Sequence, residues 1–185
     1  MRYLVRNTPL TQRDATDLIA CCELVSLNKN DYFLKAGMPV NKVGYLAKGI
    51  LHRFLIDDKG KEVSLQFIFE EHFFTDLDGF FHQLPSGNYI QAIKPSLLLI
   101  LSISELETLQ EEMPRLKPII NEIKQQHLLE RIQMEVAMRI GTAAEQYKYL
   151  INHYPHLIQQ VPLKYLASYL RITQQSLSRI RRKKI

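Results

Sequence analysis

The β-type runs of this chain are confined to its first part, and that segregation constrains the fold more than any other feature. Tyr32 to Leu34, Val43 to Ala47, Ile50 to Ile56, Val63 to Phe69, Tyr89 to Ile93 and Leu97 to Leu101 are short, and Gly, Pro and Asp punctuate them. The last β residue falls near Ser102, and helical patterns follow. Strands gathered together and then succeeded by helices specify an α+β chain, because a parallel α/β sheet needs the two to alternate. Several strands at this spacing pair antiparallel as a barrel or a jelly-roll-like β-roll. Asp57-Asp58-Lys59-Gly60 lies between two runs and ends on the residue that enters positive φ at least cost, so a hairpin is expected there.

The helices announce themselves by caps and spacing. Thr11, with Asp14 three residues on, opens a short helix whose apolar positions are Ala15, Leu18, Ile19 and Cys22. Ser104-Glu105-Leu106-Glu107 has the form of a capping box, so helix is expected to replace sheet there. Pro114 and Pro118 restart the chain. From Leu116 to about Ile140, apolar residues recur at Leu116, Ile120, Ile123, Met134 and Ala137, with Leu128, Leu129, Ile132 and Val136 on adjoining faces. A helix of about 25 residues spans about 37 Å, more than a small domain needs, so part of it is expected to meet a second copy. Ile120, Ile123, His127 and Met134 are the candidate contacts.

Gly141 followed by Thr142-Ala143-Ala144-Glu145 reads as a helix stop and a fresh capping box, hence a hinge and a boundary. The next helix runs to about Tyr154, and Pro155 and Pro162 bracket a short loop. The expected division is a β-roll with its N-terminal helix over 1–113, a long dimerisation helix over 114–140, and a small all-α domain over 141–185.

Charge singles out that last unit. Val161 to Ile185 holds Lys164, Arg171, Arg179, Arg181, Arg182, Lys183 and Lys184 and no acidic residue, which exceeds the net charge of +5 carried by the whole chain. A polyanionic partner is implied, and this segment meets it. Within it, Leu166, Ala167, Leu170, Ile172, Leu177 and Ile180 have the spacing of a helix-turn-helix. Small Ala167 lets two helices cross closely, and Thr173 can cap the second. Arg171 stands where such turns usually carry Gly, at a small cost if its φ is positive.

The second helix, Gln174 to about Lys184, then suits the major groove of duplex DNA. Gln174, Gln175, Ser176 and Arg179 are the base-reading candidates, with Thr173 and Ser178 beside them. Gln pairs bidentately with adenine and Arg with guanine, whereas Arg181, Arg182, Lys183 and Lys184 suit phosphates.

Other functions find little support. The apolar stretches fall far short of the roughly 20 residues that cross a bilayer, and no signal peptide is evident, so a cytoplasmic protein without membrane contact is expected. Cys21 and Cys22 are adjacent and complete no metal set. The histidines fit no metal-binding spacing, and no nucleophile elbow, P-loop or dinucleotide fingerprint occurs. Glu70-Glu71-His72 with Asp76 and Asp78 reads as a surface turn. Neither catalysis nor a metal or cofactor is expected.

A β-roll, a long helix and a C-terminal helix-turn-helix carrying Leu166-Ala167-Ser168-Tyr169-Leu170 and Leu177-Ser178-Arg179-Ile180 resemble the catabolite-activator (Crp/Fnr) regulators. Gly37, Lys48-Gly49 and Asp58-Lys59-Gly60-Lys61-Glu62 extend the likeness over nearly the whole chain. The resemblance implies a cyclic-nucleotide-binding-like domain, homodimerisation through the long helix, and transcription control at promoters, with RNA polymerase as a further partner. Members that bind a cyclic nucleotide carry Gly-Glu-Leu and, nine residues after the Leu, Arg-Ser, whose Arg holds the cyclic phosphate. Here those places read Thr75-Asp76-Leu77 and Ser86-Gly87, so the cation is missing and cyclic AMP is not the expected effector. Arg53, Lys94 or Arg115 could supply a charge, but the sequence does not place them. The wing that often follows the recognition helix is also not evident. The alternative is a small-molecule sensor whose basic tail engages a protein or an anionic membrane surface; a third reading keeps the regulator but makes the roll purely structural.

Overall fold

The structure, a computed structural model, describes residues 11–182; Lys183 and Lys184 lie outside the described residues. Helix α1 (Gln12–Ala20) begins at a reciprocal cap. The Asp14 amide donates to Thr11 Oγ1 at 3.2 Å, and the Thr11 amide to Asp14 Oδ2 at 3.1 Å. Eight strands follow, interrupted by one short helix: β1 (Glu23–Leu27), β2 (Tyr32–Leu34), β3 (Lys42–Lys48), β4 (Leu51–Ile56), β5 (Glu62–Ile68), β6 (Phe73–Phe74), α2 (Leu77–His82), β7 (Tyr89–Ala92) and β8 (Ser96–Ser102).

They form two four-stranded antiparallel sheets, in the orders β1-β8-β3-β6 and β2-β7-β4-β5. Consecutive strands repeatedly change sheet, as in a jelly roll. Leu34, Leu46, Leu51, Ile68, Phe74, Ile90, Leu98 and Ile100 fill the space between the sheets. Gly44 is paired with Phe74 at the edge, and a Cβ on it would run into the Phe74 ring. The β4–β5 hairpin is as the sequence expects: Asp57 Oδ1 accepts from the Lys59 and Lys61 amides, both at 2.9 Å, and Gly60 has φ +74°.

Each sheet is covered on its outer face by helices. Over the first lie α1, α3 (Ile103–Glu112) and the start of α4 (Leu116–Arg139), through Ala15, Leu18, Leu106, Leu109 and Leu116 packed around Tyr45 and Leu101. Over the second lie the C-terminal helices α5 (Ala143–His153), α6 (Pro155–Gln160), α7 (Leu163–Tyr169) and α8 (Gln174–Arg182). Ile50, Phe67 and Ile93 of the roll belong to the same buried cluster as Tyr147, Leu150, Leu166, Leu170 and Leu177.

Several local expectations change. Strands β1 and β6 and helix α2 have no counterpart in the sequence reading, and Cys22 falls beyond the end of α1. The cap of α3 is Ser102 with Glu105, two residues before the expected Ser104, because β8 runs on until Ser102 itself turns the chain. The segment between Pro155 and Pro162 is helical rather than loop. Pro155 starts α6, where its missing N–H breaks no intrahelical bond. Gly141, with φ +81°, ends α4 in the left-handed region, and Thr142 and Glu145 cap α5 reciprocally, as their spacing indicates.

Candidate nucleic-acid interface and effector site

The turn between α7 and α8 has the geometry its residues dictate. The Ile172 amide bonds the Ala167 carbonyl at 3.0 Å, and Arg171 takes φ +56°. Thr173 Oγ1 accepts from the Ser176 amide at 3.1 Å, which caps α8. Leu177 is fully buried against Ala167, Leu166 and Leu170 in one cluster. With Leu177 turned inward and Ile180 partly so, Gln174, Gln175, Arg179, Arg181 and Arg182 are exposed. Thr173 is exposed beside them, while Ser176 and Ser178 are half-buried and the Ser176 hydroxyl is bonded to Thr173. The helix holds no acidic residue. Amide and guanidinium donors on one uninterrupted face suit both base edges and phosphates.

Helix α7 seats this unit on the roll. The Ser168 hydroxyl accepts from the Ser64 amide at 3.0 Å and donates to the Glu62 carbonyl at 3.1 Å. Tyr165 lies 4.4 Å from the His52 ring, and Tyr169 meets Phe67 edge-on at 5.5 Å. His52 Nε2 pairs with Ser64 Oγ at 2.8 Å. Burial, and then the Lys164 charge, lowers the His52 imidazole to about 4, so the joint is neutral at physiological pH. Burial also raises the Tyr169 phenol.

In the roll, two of the residues named as ligand candidates, Asp76 and Ser86, come together and satisfy each other. Asp76 is 1% exposed. Its Oδ2 accepts from Ser86 Oγ at 2.6 Å and from Asn88 Nδ2 at 3.1 Å, and its Oδ1 from an Arg53 terminal nitrogen at 2.7 Å. Thr75 instead bonds the Lys42 carbonyl, Leu77 starts α2, and Gly87 is exposed. Of the three cations the sequence left unplaced, Arg53 is the one at this site. Lys94 reaches Gln160, and Arg115 pairs with Asp14. Burial pushes the Arg53 guanidinium down in pKa against the opposing pull of Asp76. The cation is therefore already neutralised by a carboxylate, and these residues do not fit a cyclic phosphate. Next to Arg53 a cavity of about 160 Å³ opens between the first sheet and α4.

On α4 the expected contact residues face the chain itself. Ile120 packs on the first sheet's helical layer, Ile123 lines the cavity, and Met134 packs against the helix-turn-helix cluster; the His127 side chain is outside the described residues. The apolar residues left exposed are their neighbours Leu128, Leu129, Ile132, Val136 and Ile140, from 46% to 68%. Both sets recur at helical spacing, and only tertiary packing decides which set the chain half-buries and which it leaves exposed. Among the described residues no cluster could hold a metal ion, and no helix is long and apolar enough to cross a membrane.

No family model and no curated protein matches the sequence. Solved structures do resemble it. The c-di-GMP-responsive global regulator CLP of Xanthomonas campestris superposes with a TM-score of 0.72 at 13% identity, over 91% of this chain and 89% of that one. FixK2 of Bradyrhizobium japonicum gives 0.70 at 13%, over 88% and 83%. The catabolite activator protein of Thermus thermophilus gives 0.57 at 15%, over 98% and 85%. The likeness extends over nearly the whole chain, which thus has the fold of the Crp/Fnr-type transcription regulators.

Proposed function

We propose that this chain is a sequence-specific DNA-binding transcription regulator, acting in the cytoplasm as a homodimer by binding and without catalysis. The observation that carries the reading is the exposed, acid-free face of α8, where Gln174, Gln175 and Arg179 follow a capped turn. In this arrangement Gln174, Gln175 and Arg179 read bases and Arg181 and Arg182 hold phosphates. RNA polymerase is then a further partner on the same promoter. The membrane alternative loses its basis, since Leu177 and Ile180, which an interfacial helix would turn to lipid, pack into the helix-turn-helix cluster.

Homodimerisation is assigned to Leu128, Ile132 and Val136, which follow one another at one-turn intervals along α4, with Ile140 just past its end, all exposed together. Ile132→Glu is expected to yield monomers in sedimentation experiments without loss of helix content. An unchanged dimer would remove this face from the reading.

Selection of random duplex DNA on the purified chain, repeated at two salt concentrations, tests the function. A palindrome with half-sites about one helical turn apart is expected. Purely salt-sensitive binding with no enriched sequence would defeat the reading. Arg179→Ala is expected to cost about 1 to 3 kcal/mol of binding to the selected site and to relax preference at one base pair; an unchanged preference would reassign the base contact.

A further inference from the structure

The cavity beside Arg53 has a lining whose chemistry is unbalanced. Leu99 and Leu101 of β8, Phe73 of β6, Leu106 of α3, and Ile120 and Ile123 of α4 form an apolar body. Among the described residues the charged lining is Arg53, Lys124 and Arg131, with no carboxylate. Asp76 compensates Arg53. Lys124 and Arg131 have no ion pair among the described residues. Lys124 is half-buried, with its Nζ 5.6 Å from the Phe80 ring centroid, and Arg131 is exposed two turns further along α4. Arg53 also has unused donors: one terminal nitrogen serves Asp76, and its buried Nε has no acceptor.

Size narrows the ligand. A volume of about 160 Å³ is close to that of the apolar cavities of about 150 Å³ that admit benzene. A purine nucleotide is several times bulkier than a single ring, and Arg53, the cation nearest the Asp76 network, is already paired with a carboxylate. An apolar chamber of ring size whose α4 side carries two cations with no ion pair among the described residues suits an apolar acid. Positive charge that is partly desolvated gains most from a hydrogen-bonded carboxylate.

We propose that this cavity is an effector site for a small amphipathic monocarboxylate, an aryl or short acyl acid. Its ring or chain lies against Leu99, Leu101 and Ile120, and its carboxylate meets Lys124 and Arg131. The proposal rests on the regulator reading only for the word effector; the binding site itself stands on the cavity. Lys124 precedes exposed Leu128 by one turn, so an occupant would press on the same helix that carries the proposed dimer face.

Equilibrium dialysis of the full chain against radiolabelled phenylacetate, with unlabelled hexanoate and neutral 2-phenylethanol as competitors, tests the site. Saturable binding is expected, displaced by hexanoate, with 2-phenylethanol weaker by about tenfold, the worth of one charge-assisted hydrogen bond. Lys124→Gln combined with Arg131→Gln, both outside the buried core, should weaken phenylacetate by about tenfold and leave the alcohol unchanged. Leu99→Phe, which fills the chamber from a half-buried position, should abolish binding of both. No saturable binding of either acid at millimolar concentration overturns the proposal. So does an alcohol as tight as the acid, or an unaltered affinity in the double variant. The dialysis contains no DNA, and operator binding is scored separately. Loss of the acid site alone therefore leaves the regulator standing, and failure to bind DNA leaves the acid site standing.

Discussion

Asp76→Ala is expected to lower the free energy of unfolding by about 3 to 5 kcal/mol, because it strands the buried Arg53 guanidinium without its counter-ion. The loss would be less if the pair were at the surface, where water replaces a partner; here the side chains are 10% and 1% exposed. Ser86 and Asn88 also lose the acceptor that fixes the loop between α2 and β7. Combining Asp76→Leu with Arg53→Met removes both charges and should recover most of the stability, since an apolar pair avoids the desolvation that two ions incur. Denaturant unfolding of the single and double variants measures both effects. A loss under about 1 kcal/mol for Asp76→Ala would show that water reaches Arg53 and that the network does not hold the site closed.

Phe67→Ala is expected to cost a further class of stability, about 3 to 5 kcal/mol, by opening a cavity at the joint between roll and helix-turn-helix. Phe67 is 8% exposed and touches both partners of the joint, stacking on His52 at 5.2 Å and meeting Tyr169 at 5.5 Å. In the unaltered protein the shared cluster should make the two parts unfold together. In the variant, hydrogen exchange should quicken in α7 and α8 before it does in β4 and β7. Equal protection of both parts in the variant would mean that the Ser168 hydrogen bonds to β5, and not the apolar contact, hold the domain in place.

Local signals in the sequence were readable where chemistry is local. The caps at Thr11 and Thr142, the hairpin at Asp57 to Gly60, and the positive φ that Arg171 has to bear each depend on residues within one turn of each other. The longer strands were legible from composition, whereas β6 has two residues and gives no period to detect. Strand β1 is mostly exposed or half-buried along Glu23 to Leu27, so its alternation is weak. The helix-turn-helix was visible because its wedge is made from one short stretch of chain. The Asp76 network was only half visible: Asp76 and Ser86 are ten residues apart, but Arg53 arrives from a strand 23 residues earlier, by sheet register. Which face of α4 stays exposed was equally a matter of what packs beside it.

If α8 reads DNA as proposed, the cluster that joins Phe67 and Ile50 to Leu166 and Leu177 makes distance an element of recognition. A DNA-reading domain on a loose tether would accept half-sites at many separations, since the tether would absorb the difference. Here α7 is fixed to β5 and α4 leads directly into α5, so in the proposed dimer the gap between two recognition helices is set by the protein interior. One inserted base pair both lengthens the operator by about 3.4 Å and rotates one half-site by about 35°, given 10 to 10.5 base pairs per turn. Neither can be met without breaking packed contacts. Such a protein would measure its operator as well as read it, rejecting sites whose letters are correct and whose spacing is not.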